Sequence, residues 1–167
     1  MKKLSALFMV VVMLLCSPTL LSYAENESVS RKPASGIESA VPGYGESSAN
    51  IQSARAALIN RIDLTIAQVE NRGLRVNYAT GTGPTMAEIG CKEITFERWD
   101  GDEWVEVYQT ERIATNTFFT SGSVYSPTNL PAGYYYRATA IHYAKEQGWF
   151  FPSKDEFYNE TSYILLQ

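Results

Sequence analysis

The amino-acid sequence predicts an all-β domain, a seven-stranded β-sandwich, behind an export signal and a linker. Three observations point there. From Gly73 onward apolar and polar residues alternate with the period of strands. Turn signals such as Asp100-Gly101 break the alternation at short intervals. No long apolar stretch follows the N-terminal one, so a single domain must build its core from these short runs.

The N-terminal segment, residues 1–24, reads as a secretory signal peptide. Lys2 and Lys3 form a basic start, and Leu7 to Leu15 is an unbroken apolar run. Ser22-Tyr23-Ala24 places small residues where a signal peptidase needs them. The run is too short to span a bilayer. Cys16 raises the alternative of a lipoprotein, but Leu15 stands where a small residue should precede a lipidated cysteine. The mature chain is therefore expected to be exported, soluble, monomeric and without a transmembrane segment.

Charge and cysteine content narrow the classes further. The chain has 14 Lys and Arg against 18 Asp and Glu, a formal net charge of −4. Cleavage after Ala24 would remove Lys2 and Lys3 and leave it more acidic. No basic stripe remains for phosphates, so a nucleic-acid partner is not expected. Cys91 is the only cysteine after Ala24, which excludes an intramolecular disulfide in the mature chain. It reads as a small buried apolar residue.

Residues 25–50 are rich in Ser, Glu, Gly, Ala and Pro, with only isolated apolar residues such as Ile37 and Tyr44. That composition predicts a disordered linker, leaving residues 51–167 as the sandwich domain. Within the domain, Ile51 to Val69 carries two signals. Ile51, Ala54, Leu58, Ile62, Ile66 and Val69 have helical spacing, while Ile62, Leu64 and Ile66 alternate as in a strand. The β pattern that follows favours a strand over Arg61 to Val69, with a short helix or turn open near Ile51 to Leu58.

The remaining strands follow in order. Leu74, Val76 and Tyr78 alternate, then Thr80 to Pro84 reads as a turn cluster and Met86 to Ile89 as one helical turn. Ile94 and Phe96 form the next strand. Trp99-Asp100-Gly101-Asp102-Glu103-Trp104 is a hairpin signal, because Asp-Gly readily adopts the positive φ of a tight turn. Val105 and Val107, Phe118 to Tyr125, Leu130 to Tyr143 and Thr161 to Leu166 supply the others.

The stretch "LPAGYYYRATAIHY", from Leu130 to Tyr143, packs three tyrosines, an arginine and the only histidine together. Leu130, Gly133 and Tyr136 stand three apart just before a strand. This resembles the tyrosine corner of fibronectin type III and related immunoglobulin-like domains. The resemblance implies that Tyr136 points inward and bonds the backbone upstream, with Ala138, Ala140 and His142 on the same face. It also implies that Tyr135, Arg137, Thr139, Ile141 and Tyr143 line the other face. Pro131 sits one place earlier than in that pattern.

Taken together, "TMAEIGCKEITFERWDGDEWVEV" and "GYYYRATAIHYAKEQGW" resemble small secreted proteins of Bacillus- and Clostridium-type bacteria. The shared pattern is an Ile-Gly turn, a strand ending near Trp-x-Gly, a strand opening on Trp-x-x-Val, and a Gly-Tyr-Tyr-Tyr-Arg strand carrying histidine. It covers roughly Ile62 to Leu166. The family has no assigned activity, so the resemblance implies fold and export and no catalytic residue. Cys91 departs from the small residue the pattern has there.

Catalytic chemistry has little to work with. Cys91 and His142 would make a nucleophile and base, but nothing in the sequence brings them together or orients them. One histidine and one cysteine do not make a zinc site without two carboxylates. Gly81-x-Gly83 lacks the rest of a phosphate loop. Asp100, Asp102 and Glu103 read as a solvated hairpin tip rather than a calcium loop. No cofactor and no metal are expected.

The candidate contact surface is aromatic. Trp149, Phe150 and Phe151 stand together on a loop flanked by Lys145, Glu146, Lys154, Asp155 and Glu156. Three adjacent large aromatics cannot all enter one core from one loop, so they either cap the sandwich or offer a contact. Trp99 at the hairpin is a secondary candidate. The expected function is a secreted, non-catalytic module that binds an extracellular protein, a glycan or an envelope component. The alternative is a small secreted enzyme or enzyme inhibitor, which a concave pocket with converging polar groups would favour.

Overall fold

The computed structural model describes residues 31–47 and 58–167. The predicted signal peptide and the helix-or-turn question over most of Ile51 to Leu58 lie outside the described residues. Seven strands form one antiparallel sheet: β1 (Tyr44–Glu46), β2 (Ile59–Val69), β3 (Gly73–Trp99), β4 (Trp104–Tyr125), β5 (Tyr135–Lys145), β6 (Lys154–Glu160) and β7 (Ile164–Leu165). Among the described residues the only helical element is a 3-10 turn, Glu70–Arg72. The all-β expectation holds, and the sheet is a curled half-barrel.

The length of β3 explains the curl. Its first part, Gly73 to Thr82, pairs with β2, and its second part, Glu88 to Arg98, pairs with β5. β4 pairs with both parts along the opposite edge, so β2 and β5 follow one another on the same side of β3. The β3–β4 register slips between Gly81 and Met86, and there the sheet bends. Where a sandwich would have two separate sheets, the described strands form one curled sheet. Leu64, Ile66, Val76, Phe96, Tyr136 and Ala138 are buried together in its main core.

Several local expectations are corrected. Thr80 to Pro84 is not a turn; it is the bend itself, where the Thr82 hydroxyl donates to the Pro84 carbonyl at 2.8 Å. Pro84 falls in the unpaired stretch of the ladder, where its missing N–H costs nothing. Met86 to Ile89 is extended rather than helical, with Met86 and Ile89 buried in a second core cluster. Phe118 to Tyr125 is not a separate strand but the end of β4, which runs 22 residues and pairs only with β3 among the described strands. β6 carries no clear alternation and was not anticipated.

The predicted disordered linker, residues 25–50, is also corrected over its described part. Tyr44–Glu46 pairs with Thr65–Ala67 of β2. Ser39 N–H donates to the Tyr163 carbonyl at 2.9 Å, and Ser47 N–H to the Leu64 carbonyl at 2.9 Å. Backbone hydrogen bonds fix this segment without an apolar period, which is why composition misreads it. Gly45 is required by close approach: a Cβ there would lie 2.5 Å from the Ser162 carbonyl oxygen.

Leu130 and Tyr136 are buried, Gly133 has φ +77, and the Tyr136 hydroxyl donates to the Pro131 carbonyl at 3.0 Å. Burial pushes the Tyr136 hydroxyl up to about 12, so it keeps its proton. Tyr136→Phe is expected to cost about 0.5–1.5 kcal/mol by removing this part-buried hydrogen bond, and Tyr135→Phe much less. Equal melting shifts for the two variants would refute the corner.

The outward face of β5 is more covered than alternation alone suggests. Tyr135, Thr139 and Tyr143 are buried as well as Ala138, Ala140 and His142. Lys92 lies over the Tyr143 ring at 3.7 Å, and Arg137 lies over Trp104 at 4.5 Å while pairing with Glu97 and Glu160. The strand is screened by Lys92 of β3 and by its own Arg137.

Candidate functional site

The aromatic loop is held by a regular hairpin. Seven residues of β5 pair with seven of β6, ending in Lys145 opposite Lys154. Glu146 N–H donates to the Ser153 carbonyl at 3.0 Å and closes the base of the loop. The Gln147 side-chain amide donates to Asn116 Oδ1 of β4 at 3.2 Å, and the Asp155 carboxylate accepts from Ile59 N–H at 3.2 Å. These bonds brace the hairpin at its loop end against β4 and β2.

Beyond the base, nothing among the described residues covers the aromatics. Trp149, Phe150 and Phe151 are 95%, 87% and 97% exposed. Of the two readings, capping and contact, capping is therefore not what the loop does here. Phe151 has φ +51, a left-handed conformation that costs a bulky side chain roughly 1–2 kcal/mol. The loop keeps that strain with no burial of the ring to offset it.

Trp99 does not belong to this surface. It is 5% exposed and packs edge-to-face on Trp104, with ring centroids 5.3 Å apart, in a cluster with Tyr135 and Tyr163. It also lies at the other end of β5: Tyr136 pairs with Arg98, while Lys145 leads into the loop. The strand length puts roughly 30 Å between the two places. From sequence Trp99 is either a contact or a cover for the sheet; here Trp99 and Trp104 both pack with the tyrosines.

The pair the sequence left apart is brought together. β3 pairs Cys91 with His142 of β5, and Cys91 Sγ lies 3.4 Å from His142 Nδ1. Thr80 Oγ1 is 2.7 Å from the same nitrogen and donates to the Gly90 carbonyl at 3.0 Å. With that hydroxyl proton committed, Nδ1–H donates to Thr80 and Nε2 faces the Asn159 amide at 3.5 Å. Both Cys91 and His142 have no exposed surface. Burial pushes the Cys91 thiol up to about 12 and His142 down to about 4. A thiolate nucleophile needs the opposite shift and access to substrate, so this pair is a structural network.

The acidic groups of the hairpin tip and of the cleft lined by Glu38 and Glu160 have local partners. The Asp100 carboxylate accepts from Asp102 and Glu103 N–H at 3.0 Å each, which holds it below its usual range. Among the described residues no group of three or more His, Cys, Asp or Glu is placed to hold a metal ion. A cleft of about 350 Å³ lies between Ile37–Glu46 and Glu160–Ser162. Its Glu38 pairs with Lys32 and its Glu160 with Arg137. Among the described residues, no helix is long and apolar enough to cross a membrane.

What sequence reading missed at the loop is its support. Lys145 and Lys154 were visible only as flanking charges, and Asn116, with φ +53 inside β4, carried no signal of its contact with Gln147. Comparison with known proteins finds no matching family model, no matching curated protein and no matching solved structure.

Proposed function

We propose that this protein is a secreted, non-catalytic binding module whose contact is the loop Gly148–Pro152. The observation that carries this reading is the near-complete exposure of Trp149, Phe150 and Phe151 on a braced hairpin. A soluble domain gains nothing in folding from three such rings in water. The basic start, apolar run and small-residue site of residues 1–24 support export, which would place the contact outside the cell or at the envelope. The Leu130–Tyr136 corner supports an immunoglobulin- or fibronectin-type strand pattern within the half-barrel, and the secreted Bacillus- and Clostridium-type proteins remain the proposed relatives. The partner classes are an extracellular protein, a glycan or an envelope component, engaged by a monomer.

The test separates contact from structure. Trp149→Ala, Phe150→Ala and Phe151→Ala are each expected to leave stability within about 0.5 kcal/mol of wild type, as for exposed positions. Each should also weaken capture of mature protein by envelope fractions. Losses of core size, about 3–5 kcal/mol, would show instead that the rings are buried in solution and end this proposal.

A further inference from the structure

We infer that the partner of the aromatic loop is a phospholipid bilayer, with Trp149, Phe150 and Phe151 entering the headgroup–acyl boundary and Lys145 and Lys154 meeting lipid phosphates. The inference rests on the reading of the loop as the contact and adds the chemistry of what it contacts.

The first argument is the character of the tip. Gly148, Trp149, Phe150, Phe151 and Pro152 include no charged group, and the Trp149 indole N–H is their only side-chain hydrogen-bonding group. A glycan needs several directional donors and acceptors beside its stacking ring, and this tip has only the one. The three rings project at 87–97% exposure and line none of the described clefts. An apolar tip that asks for almost no directional bond suits a medium that offers none. Tryptophan with its single N–H is the residue that settles at the boundary between headgroups and acyl chains.

The second argument is the base of the hairpin. Lys145 and Lys154 are directly opposed across the last β5–β6 pair, immediately behind the aromatics. Lys145 holds Glu88 at 2.8 Å, and Lys154 also lies in the field of that carboxylate but beyond ion-pair distance. Glu88 therefore offsets part of the repulsion between the two lysines, and the Lys154 ammonium is left for a phosphate. Long lysine stems let the ammonium groups reach the headgroups while the tip goes deeper. The nearby Asp155 carboxylate is engaged by Ile59 N–H.

The third argument is depth. The loop is six residues long between the bonded Glu146 and Ser153, and its backbone is not in a ladder. Such backbone is not tolerated in the acyl core but is in the hydrated interface, so insertion is shallow, on the order of 5–10 Å.

The experiment uses the mature chain, residues 25–167, with vesicles of phosphatidylcholine alone and of phosphatidylcholine with phosphatidylglycerol. Co-sedimentation and the emission of Trp149 are both read; Trp99 is buried and Trp104 half-buried, so a vesicle-dependent blue shift reports Trp149. Wild type is expected to bind both vesicles, more tightly with phosphatidylglycerol. The triple variant Trp149→Ser, Phe150→Ser, Phe151→Ser should keep its melting temperature and lose at least about tenfold in partitioning. Lys154→Glu should lose the phosphatidylglycerol preference and keep the blue shift. Failure of wild type to bind either vesicle, or equal binding by the triple variant, overturns the inference. Loop-dependent binding to delipidated cell wall without vesicle binding overturns the bilayer and keeps the loop as a contact. Unchanged behaviour of the triple variant on both materials overturns the two together.

Discussion

Gly90→Ala is expected to destabilise the fold by at least about 3 kcal/mol, a large part of the 5–15 kcal/mol that holds a domain of this size. Gly90 sits between two strands, paired with Ile113 of β4 and Tyr143 of β5. A Cβ there would lie 1.9 Å from the Arg112 carbonyl oxygen and 2.9 Å from its carbon. Neither atom is the end of a flexible side chain, so relief requires β4 to move away from β3. The Thr80 hydroxyl also donates to the Gly90 carbonyl, so the displacement would reach the buried network around His142. Gly83→Ala is the control. It lies in the same strand, in the bend, and a Cβ there meets nothing within 4 Å. It should change stability by less than about 1 kcal/mol and in either direction. Denaturant melts of the two variants decide the matter: similar losses would mean that β3 and β4 do not approach as closely at Gly90 as described.

That glycine also shows what could be read from the sequence and what could not. The resemblance to the secreted proteins implies a turn at Ile89-Gly90. In the fold it is mid-strand and needed for close approach of backbone, a reason that exists only after β4 is in place. The same division runs through the molecule. Alternation around Leu74, Val76 and Tyr78 and the Asp100-Gly101 hairpin are local signals, and both were legible. The Tyr136 corner was legible because its donor and acceptor lie five residues apart. Fusion of the strands into β3 and β4 was not, because only long-range pairing tells a turn from a bulged bend at Thr80 to Pro84. β1 was hidden for the same reason: its bonds go to β2 and to the chain end, and its own residues look like linker. At the candidate site the aromatic run was plain, and its exposure follows from packing that a loop sequence does not encode.

Stability is expected to fall by about 3 kcal/mol as pH drops from about 6.5 to about 4, through His142. The residue has no exposed surface, and burial lowers its pKa from the ordinary 6.5 to about 4. The groups around the ring are Thr80, Cys91 and Asn159, none of which offers a negative charge to a protonated imidazole. Cys91 stays a neutral thiol, and Asn159 presents its amide donors to Nε2, the atom that would take the second proton. The sign follows from which state binds the proton first. Below about pH 6.5 the histidine of the unfolded chain is protonated while the buried one is not, so acid draws the equilibrium toward unfolding. The contribution is fully present above pH 6.5, declines between 6.5 and 4, and is gone below 4. Carboxylates titrate at the lower end of this window, so the measurement is a difference between wild type and His142→Gln. The variant costs stability at neutral pH by disturbing the Thr80 contact, and that cost should shrink by about 3 kcal/mol between pH 7.5 and pH 4. A wild-type-minus-variant difference that stays constant across this range would mean that His142 is protonated freely in the folded protein, and the buried neutral network would have to be abandoned.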